Sequence, residues 1–571
     1  MNRARFSCVV LSAALFFAPS LFAFQTRSAV VHSLGVTSMT AHQHAAAINQ
    51  AGVQGVPHEA LRPMPKPNFN ILGTRPALTA ATTSAITFPV VGADSTERGF
   101  SGINTEDSND GNGGGTAGIV SPPDQGLGGN ETQLLEAVNV SLRVFSNSGK
   151  PLTDNIGMAE FFGVPPTNPD GSSNRLSDPR VFFDPVTRRF FMSILEFQTS
   201  SAGFVGSENL LAVSQSSNAL GNYFLYSIEA CPPTGQGTFL PCLADQPLIG
   251  VNQDGFYFQN NIFSQQGRGL AGELIALNIE ALINNTTVTG VEYFLPDFSV
   301  QPALPAPGQI TTQHNGTEYF ITSEDNGPPS FGTTLRIYAL VNTESLESGG
   351  VPTLLSSAPN DFPSEFYSNP VPANQKAGSY PLGQHFGDPE EFLNPDDDRP
   401  QQVYYAGGRL YTTLDTQLPS DTVERDGAAW FVIQPQATDT SVTAEIVHQG
   451  YIGIANGSVL YPAFSATNSG SGIIGFSFSG TNFFPSAGYV HYENGAIGTQ
   501  VHTAALGQNA QDDFSGYPQF GGNGVARWGD YSAAFVSPFG HLWFAAEYIP
   551  NELLHPRTQF TDWGTFVSKV K

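Results

Sequence analysis

Carboxylates recur at one kind of place in this chain. Asp124, Asp178, Asp245, Asp398 and Asp530 each stand where a short polar stretch gives way to an apolar, aromatic-rich run. Arg180, Arg399 and Arg527 lie within three residues of three of them, and Tyr461 and Tyr531 hold comparable positions. Three kinds of chemistry follow from that set. A carboxyl kept near apolar walls can act as a general acid, with a second carboxylate or a tyrosine as nucleophile. Arginine forks beside it would bind carboxylate or sulfate, which suits a hydrolase of acidic extracellular glycans working through an Asp/Arg ring. The same oxygens could instead ligate calcium, for which Asp178, Asp245 and Asp530 are the candidates. The third use is structural: Asp-Pro and Asp-Gln turns spend their carboxylates on backbone N–H groups. No Gly-x-Ser-x-Gly, His-Glu-x-x-His or phosphate-cradling glycine loop occurs.

The elements that would position these residues form a repeat. A polar start leads to an apolar strand, a turn and an aromatic strand, in seven copies about 68 residues apart. The starts are Asp124, Asp178, Asp245, a degenerate Ile310-Thr-Thr-Gln313, Asp398, Tyr461 and Trp528-Gly-Asp530. A four-stranded unit cannot bury both faces alone, but stacked radially each sheet covers its neighbours. The predicted fold is therefore all-β, a seven-bladed β-propeller over residues 121–571, with six or eight blades as the neighbouring counts. The tail after Thr561 is expected to supply the last blade's outer strand, and the stretch 86–91 to close the ring. The polar starts would then ring one mouth of the central channel. Trp430, Phe483 and Phe484 are aromatics that could stack on sugars there, although phenylalanine is frequent enough (43 residues) to make core packing the default.

At Ser177-Asp-Pro-Arg-Val-Phe-Phe-Asp-Pro, Ala244-Asp-Gln-Pro-Leu-Ile-Gly-Val and Arg527-Trp-Gly-Asp-Tyr-Ser the chain resembles large secreted bacterial propeller proteins, mostly without assigned activity. The resemblance spans about residues 120–550 and implies fold and export, but no reaction. Ser323-Glu-Asp-Asn-Gly-Pro-Pro-Ser-Phe falls short of the sialidase-type Ser-x-Asp-x-Gly-x-x-Trp turn, its aromatic standing one place late.

Composition agrees with many short strands: 13% charged residues, 60 glycines and 42 prolines. Arg3 and Arg5 before the apolar run 6–22, with Ala23 as cleavage point, read as a signal peptide over residues 1–23. No other run approaches the roughly 18 apolar residues of a membrane span. Beyond Cys8 only Cys231 and Cys242 remain, a pair suited to a disulfide in an oxidising compartment. Residues 24–120, with His42, His44, His58 and the proline run at 62–67, read as a pro-region or linker, partly disordered. A net charge of −26 argues against nucleic acid and anionic membranes as partners. The sequence thus points to an exported monomer, periplasmic or extracellular, acting as a binding or interaction module. Its ligand, an envelope protein or an extracellular polysaccharide, would engage the channel mouth. The hydrolase above and a purely structural surface protein stand as alternatives.

Overall fold

The computed structural model describes residues 24–42, 86–92, 98–111, 120–230, 241–323, 331–418, 424–551 and 560–570. Its strands fall into seven four-stranded antiparallel units that pack in sequence order around a ring. The inner strands are Gly126–Gly129, Ser173–Asp184, Cys242–Val251, Gln301–Pro305, Val403–Ala406, Gly457–Ala466 and Ala533–Val536, opening blades one to seven. The chain is an all-β propeller.

Burial explains why the strands read as nearly continuous apolar runs. In blade two, Phe190, Phe191, Met192, Ile194 and Leu195 are all buried, because neighbouring blades cover both faces of the sheet. Turns are set by side chains: Asn252 Oδ1 accepts the N–H groups of Asp254 and Gly255, both at 2.9 Å, and Asp184 accepts those of Val186 and Thr187.

Four expectations change. The fourth blade opens at Gln301–Pro305, so Ile310–Gln313 lies between its first two strands and Gln313 is exposed, away from the channel. The C-terminal strand Gly564–Val570 is third, not outermost, in blade seven; the outermost is Arg98–Asn104, which closes the ring. Ile86–Thr87 and Val90–Val91 instead edge blades five and six. Trp430 is buried against Tyr492 rather than offered to a ligand.

The segment that composition marks as a linker also contributes strands. Thr26–Ser28 edges blade three and Val31–Ser38 edges blade two, so N-terminal chain covers the rim of five blades. Thr105–Gly111 is a short helix. His42 lies against Glu160 of blade two's approach, at 3.2 Å. His44, His58, residues 1–23 and Cys231 lie outside the described residues; Cys242 is fully buried at the start of its strand. No helix among the described residues is long and apolar enough to cross a membrane.

The ring-closing strand 98–104 and the C-terminal strand meet blade one at a single carboxyl. Glu136, buried on Gln133–Val138, accepts Ile103 N–H at 3.0 Å and the Thr565 hydroxyl at 2.5 Å. A Cβ on Gly102 would stand 2.5 Å from both Glu136 oxygens. Gly102→Ala is therefore expected to lower the melting temperature, at a cost of about 1–3 kcal/mol for an overpacked seam. Thermal denaturation checks this, and an unchanged midpoint would show that the seam relaxes freely.

Candidate functional site

Strained backbone precedes or interrupts six of the inner strands. Asp124, Asp178, Gln246, Ser299, Tyr461 and Gly529 hold φ between 47° and 58°, one in each of six blades. For the five non-glycine residues this left-handed conformation costs on the order of 1 kcal/mol or more each. In blades two, three and six a proline follows directly, and the ladder register breaks there. Proline suits the break because it has no N–H to leave unpaired.

Polar side chains of the preceding blade accept the N–H groups of four of these residues, Asp178, Gln246, Ser299 and Tyr461. Asn139, just after its strand in blade one, donates to Pro122 O and Asp124 Oδ2, both at 2.7 Å. Its Oδ1 accepts Asp178 N–H of blade two at 2.7 Å. Asn261 of blade three accepts Ser299 N–H of blade four at 2.7 Å, and Asp415 of blade five accepts Tyr461 N–H of blade six at 2.9 Å. Asp178 Oδ2 accepts Gln246 N–H of blade three at 3.1 Å. Side chains then cross the channel. Arg180 of blade two reaches Gln401 O of blade five at 3.4 Å, and Gln246 donates to Gln401 Oε1 at 3.1 Å. The Tyr531 hydroxyl of blade seven donates to Pro179 O at 2.8 Å, with the Arg180 guanidinium 3.2 Å from its ring centre. The channel is bridged at this level, so a ligand meets the mouth rather than a pore.

Three of the sequence-predicted carboxylates converge. One oxygen each of Asp124, Asp178 and Asp530 lies within 4.8 Å of the others. Arg527 donates to Asp530 Oδ2 at 2.5 Å, and this pair keeps some exposure, with 15% of the Asp530 side chain reaching solvent. Asp124 is fully buried and its Oδ1 has no hydrogen-bond partner. Burial, then the charges of Asp530 and Asp178, push the Asp124 carboxyl well above the usual carboxylate range. Burial and Asp530 also raise Asp178. Asp245 stands beside them and is pushed up to about 8, first by desolvation, then by Asp178 and Asp530. It is not one of the three converging groups.

The remaining candidates separate by role. Arg399 pairs with Asp397 and Asp396 and donates to Ser299 Oγ at 2.9 Å. Asp398 is fully buried behind them. The Tyr461 hydroxyl donates to Asn394 O at 2.9 Å, anchoring a lobe built from the connections before blades five and seven. In that lobe Phe392–Leu393 pairs with Val525–Ala526, and Phe514, Tyr517 and Phe520 form a small core. Sequence reasoning missed Asn139, Asn261, Asp415 and Gln401. Asn139 follows its blade's second strand, and Asn261 and Asp415 lie within theirs, positions whose polarity gains meaning only once the neighbouring blade is in place.

The sequence matches no family model and no curated protein. Among solved structures it is similar to a GH43 β-1,3-galactosidase, at 13% identity over 61% of this chain and 97% of that one, TM-score 0.30. An exo-β-1,3-galactanase from Clostridium thermocellum shares 10% identity over 83% and 96%, TM-score 0.29. An α-L-arabinanase of Cellvibrio cellulosa shares 8% over 66% and 94%, TM-score 0.27.

Proposed function

We propose that the protein is an exported hydrolase of extracellular polysaccharide, with Asp530 and Asp124 as its working carboxyl pair. The observation that carries this reading is the contrast between two groups whose oxygens stand within 4.8 Å. Asp530 is a carboxylate at the mouth held by Arg527, while Asp124 is a buried acid with an oxygen that no group among the described residues engages. Such opposed environments separate an acid from a base or nucleophile. The short spacing falls on the side of the retaining mechanism, whose carboxyl groups stand about 5–5.5 Å apart. In that reaction Asp530 bonds to the anomeric carbon as the glycosidic C–O bond breaks, and the Asp124 proton goes to the departing oxygen. Water then attacks the same carbon, gives its proton back to Asp124 and frees Asp530.

The mouth favours a neutral glycan over the acidic one that the arginines first suggest. Arg527 and Arg399 are committed to Asp530, Asp396 and Asp397, and Arg180 lies on Tyr531. With these three arginines committed to partners within the mouth, none of them is left to fork onto the carboxylate or sulfate of an acidic chain. A purified protein tested against neutral and acidic polysaccharides should release reducing ends from a neutral one. Gel retardation by a polysaccharide without any release would replace this reading with a binding module.

A second reading is favoured by the same convergence. Oxygens 4.8 Å apart can share a calcium ion at its 2.3–2.6 Å ligand distances. The unengaged Asp124 oxygen fits such a ligand set, while Arg180 and Arg527 beside it oppose a cation. A melting temperature that rises with calcium and falls with chelator, lost in Asp178→Ala, would favour this reading; indifference to both would remove it.

A further inference from the structure

The outer edge of blade three carries a second buried carboxylate pair, far along the sheet from the channel mouth. Glu292 lies on Gly290–Leu295 and Glu273 diagonally across on Gly269–Asn278; neither side chain has any solvent exposure. Among the described residues, one cation reaches them. Arg27, from the three-residue N-terminal strand Thr26–Ser28, stands directly opposite Glu292 and donates to it through Nε, with Nη2 3.9 Å from Glu273 Oε1. Asn260 orients Glu273 by donating to Oε2 at 3.0 Å, and Asn209 orients Asn260 at 3.2 Å. Oε1 of both glutamates and Nη2 of Arg27 are buried without a hydrogen-bond partner among the described residues. The pair thus offers more acceptor oxygens than Arg27 satisfies, an arrangement suited to a planar, multi-donor cation.

Besides Arg27, the strand is anchored at its flanks, where Phe24 packs on Tyr338, Ala29 N–H donates to Gly290 O at 2.9 Å and Phe294 N–H donates to Gln25 O at 3.3 Å. Thr26 and Ser28 are exposed, and a three-residue ladder contributes few hydrogen bonds. From this we infer that Glu273 and Glu292 form a guanidinium-binding socket on the rim of blade three, and that the N-terminal strand is held there as a ligand through its arginine. An arginine suits the socket better than lysine because its fork can address both carboxylates at once. Two buried carboxylates left without it would be strongly disfavoured, and burial already holds Glu292 up to about 7 and Glu273 well above its usual range.

The test uses the full chain carrying Arg27→Ala, read by melting temperature and by hydrogen exchange of residues 26–38. Exchange there should quicken at least tenfold and the midpoint should fall. Low-millimolar methylguanidinium should restore part of both, and methylammonium at equal ionic strength should not. Arg27→Lys should recover less than half of the lost midpoint. Because the single variant can fail to fold, the triple variant Arg27→Ala, Glu273→Gln, Glu292→Gln provides the control: it should regain the midpoint and ignore methylguanidinium. Wild-type exchange in Arg27→Ala, equal rescue by methylammonium or calcium, or a triple variant as unstable as the single one would each overturn the inference.

Discussion

Asp530→Asn is expected to abolish polysaccharide cleavage while leaving the protein folded. The amide keeps an oxygen for Arg527, so the mouth retains its geometry, but no anion remains to bond the anomeric carbon. Asp124→Asn should cost about 10²–10⁴ in kcat, the usual contribution of a positioned acid. Its effect on stability should run the other way. Asp124 stands in a buried cluster with two further carboxylates, and a neutral amide can still accept from Asn139. Removing an ionisable group that burial and like charges disfavour should leave the melting temperature unchanged or higher. Activity of the wild type should also fall on the alkaline side as Asp124 loses its proton. Kinetics on the substrate found in the polysaccharide screen, with melting curves of the same samples, decide the matter. A variant that loses stability but keeps its rate would return Asp124 to a turn-forming role.

Glu136→Gln is expected to flatten the pH dependence of stability. In the folded chain burial is the largest influence on this carboxyl and raises it from 4.5 to about 7, against the donors Thr565 and Ile103. Asp107 adds to the rise and Arg143 opposes it. Between those values the folded state holds a proton that the unfolded state has released, so stability falls as pH rises. The contribution is full below about 4.5 and lost as pH passes about 7, a span of about 3 kcal/mol at 1.36 kcal/mol per unit. Glutamine can accept from Ile103 and donate toward Thr565 at every pH, so the variant should exceed the wild type at pH 8 and match it near pH 5. Denaturant melts at both values measure this. Equal slopes in the two proteins would mean that water or rearrangement relieves the charge. The seam is where strands 98–104, 133–138 and 564–570 are stitched together, so hydrogen exchange of 98–104 and 564–570 should follow the same pH course.

How far the sequence reaches depends on whether a property is local. The blade-opening motifs are local: Ser177-Asp-Pro-Arg and Asp245-Gln-Pro combine a residue that tolerates a break with a proline that cannot donate. Alternation, aromatic content and turn residues then fix which stretches become strands, and seven amphipathic units without their own core must close into a ring. Even the degenerate sixth copy, opening at Tyr461-Pro, obeys that rule. The fourth was misplaced because its break, Ser299-Val-Gln, has neither aspartate at the start nor proline beside it.

Everything that depends on distances between blades escaped the sequence. Asp124, Asp178 and Asp530 are 54 and 352 residues apart along the chain, and only closure of blade seven onto blade one brings them together. Their partner Asn139 looks like an ordinary turn residue until two blades flank it. Likewise, nothing about Arg27 or Gly102 in isolation announces a buried glutamate; each acquires meaning when an N-terminal strand lands on a distant sheet edge. The sequence by itself determined the strands, their breaks and the need for a ring, since backbone strain, turn chemistry and hydrophobic pattern act over a few residues. The tertiary structure alone decided which charges share a site, because desolvation and Coulomb interactions depend on separation in space and not along the chain.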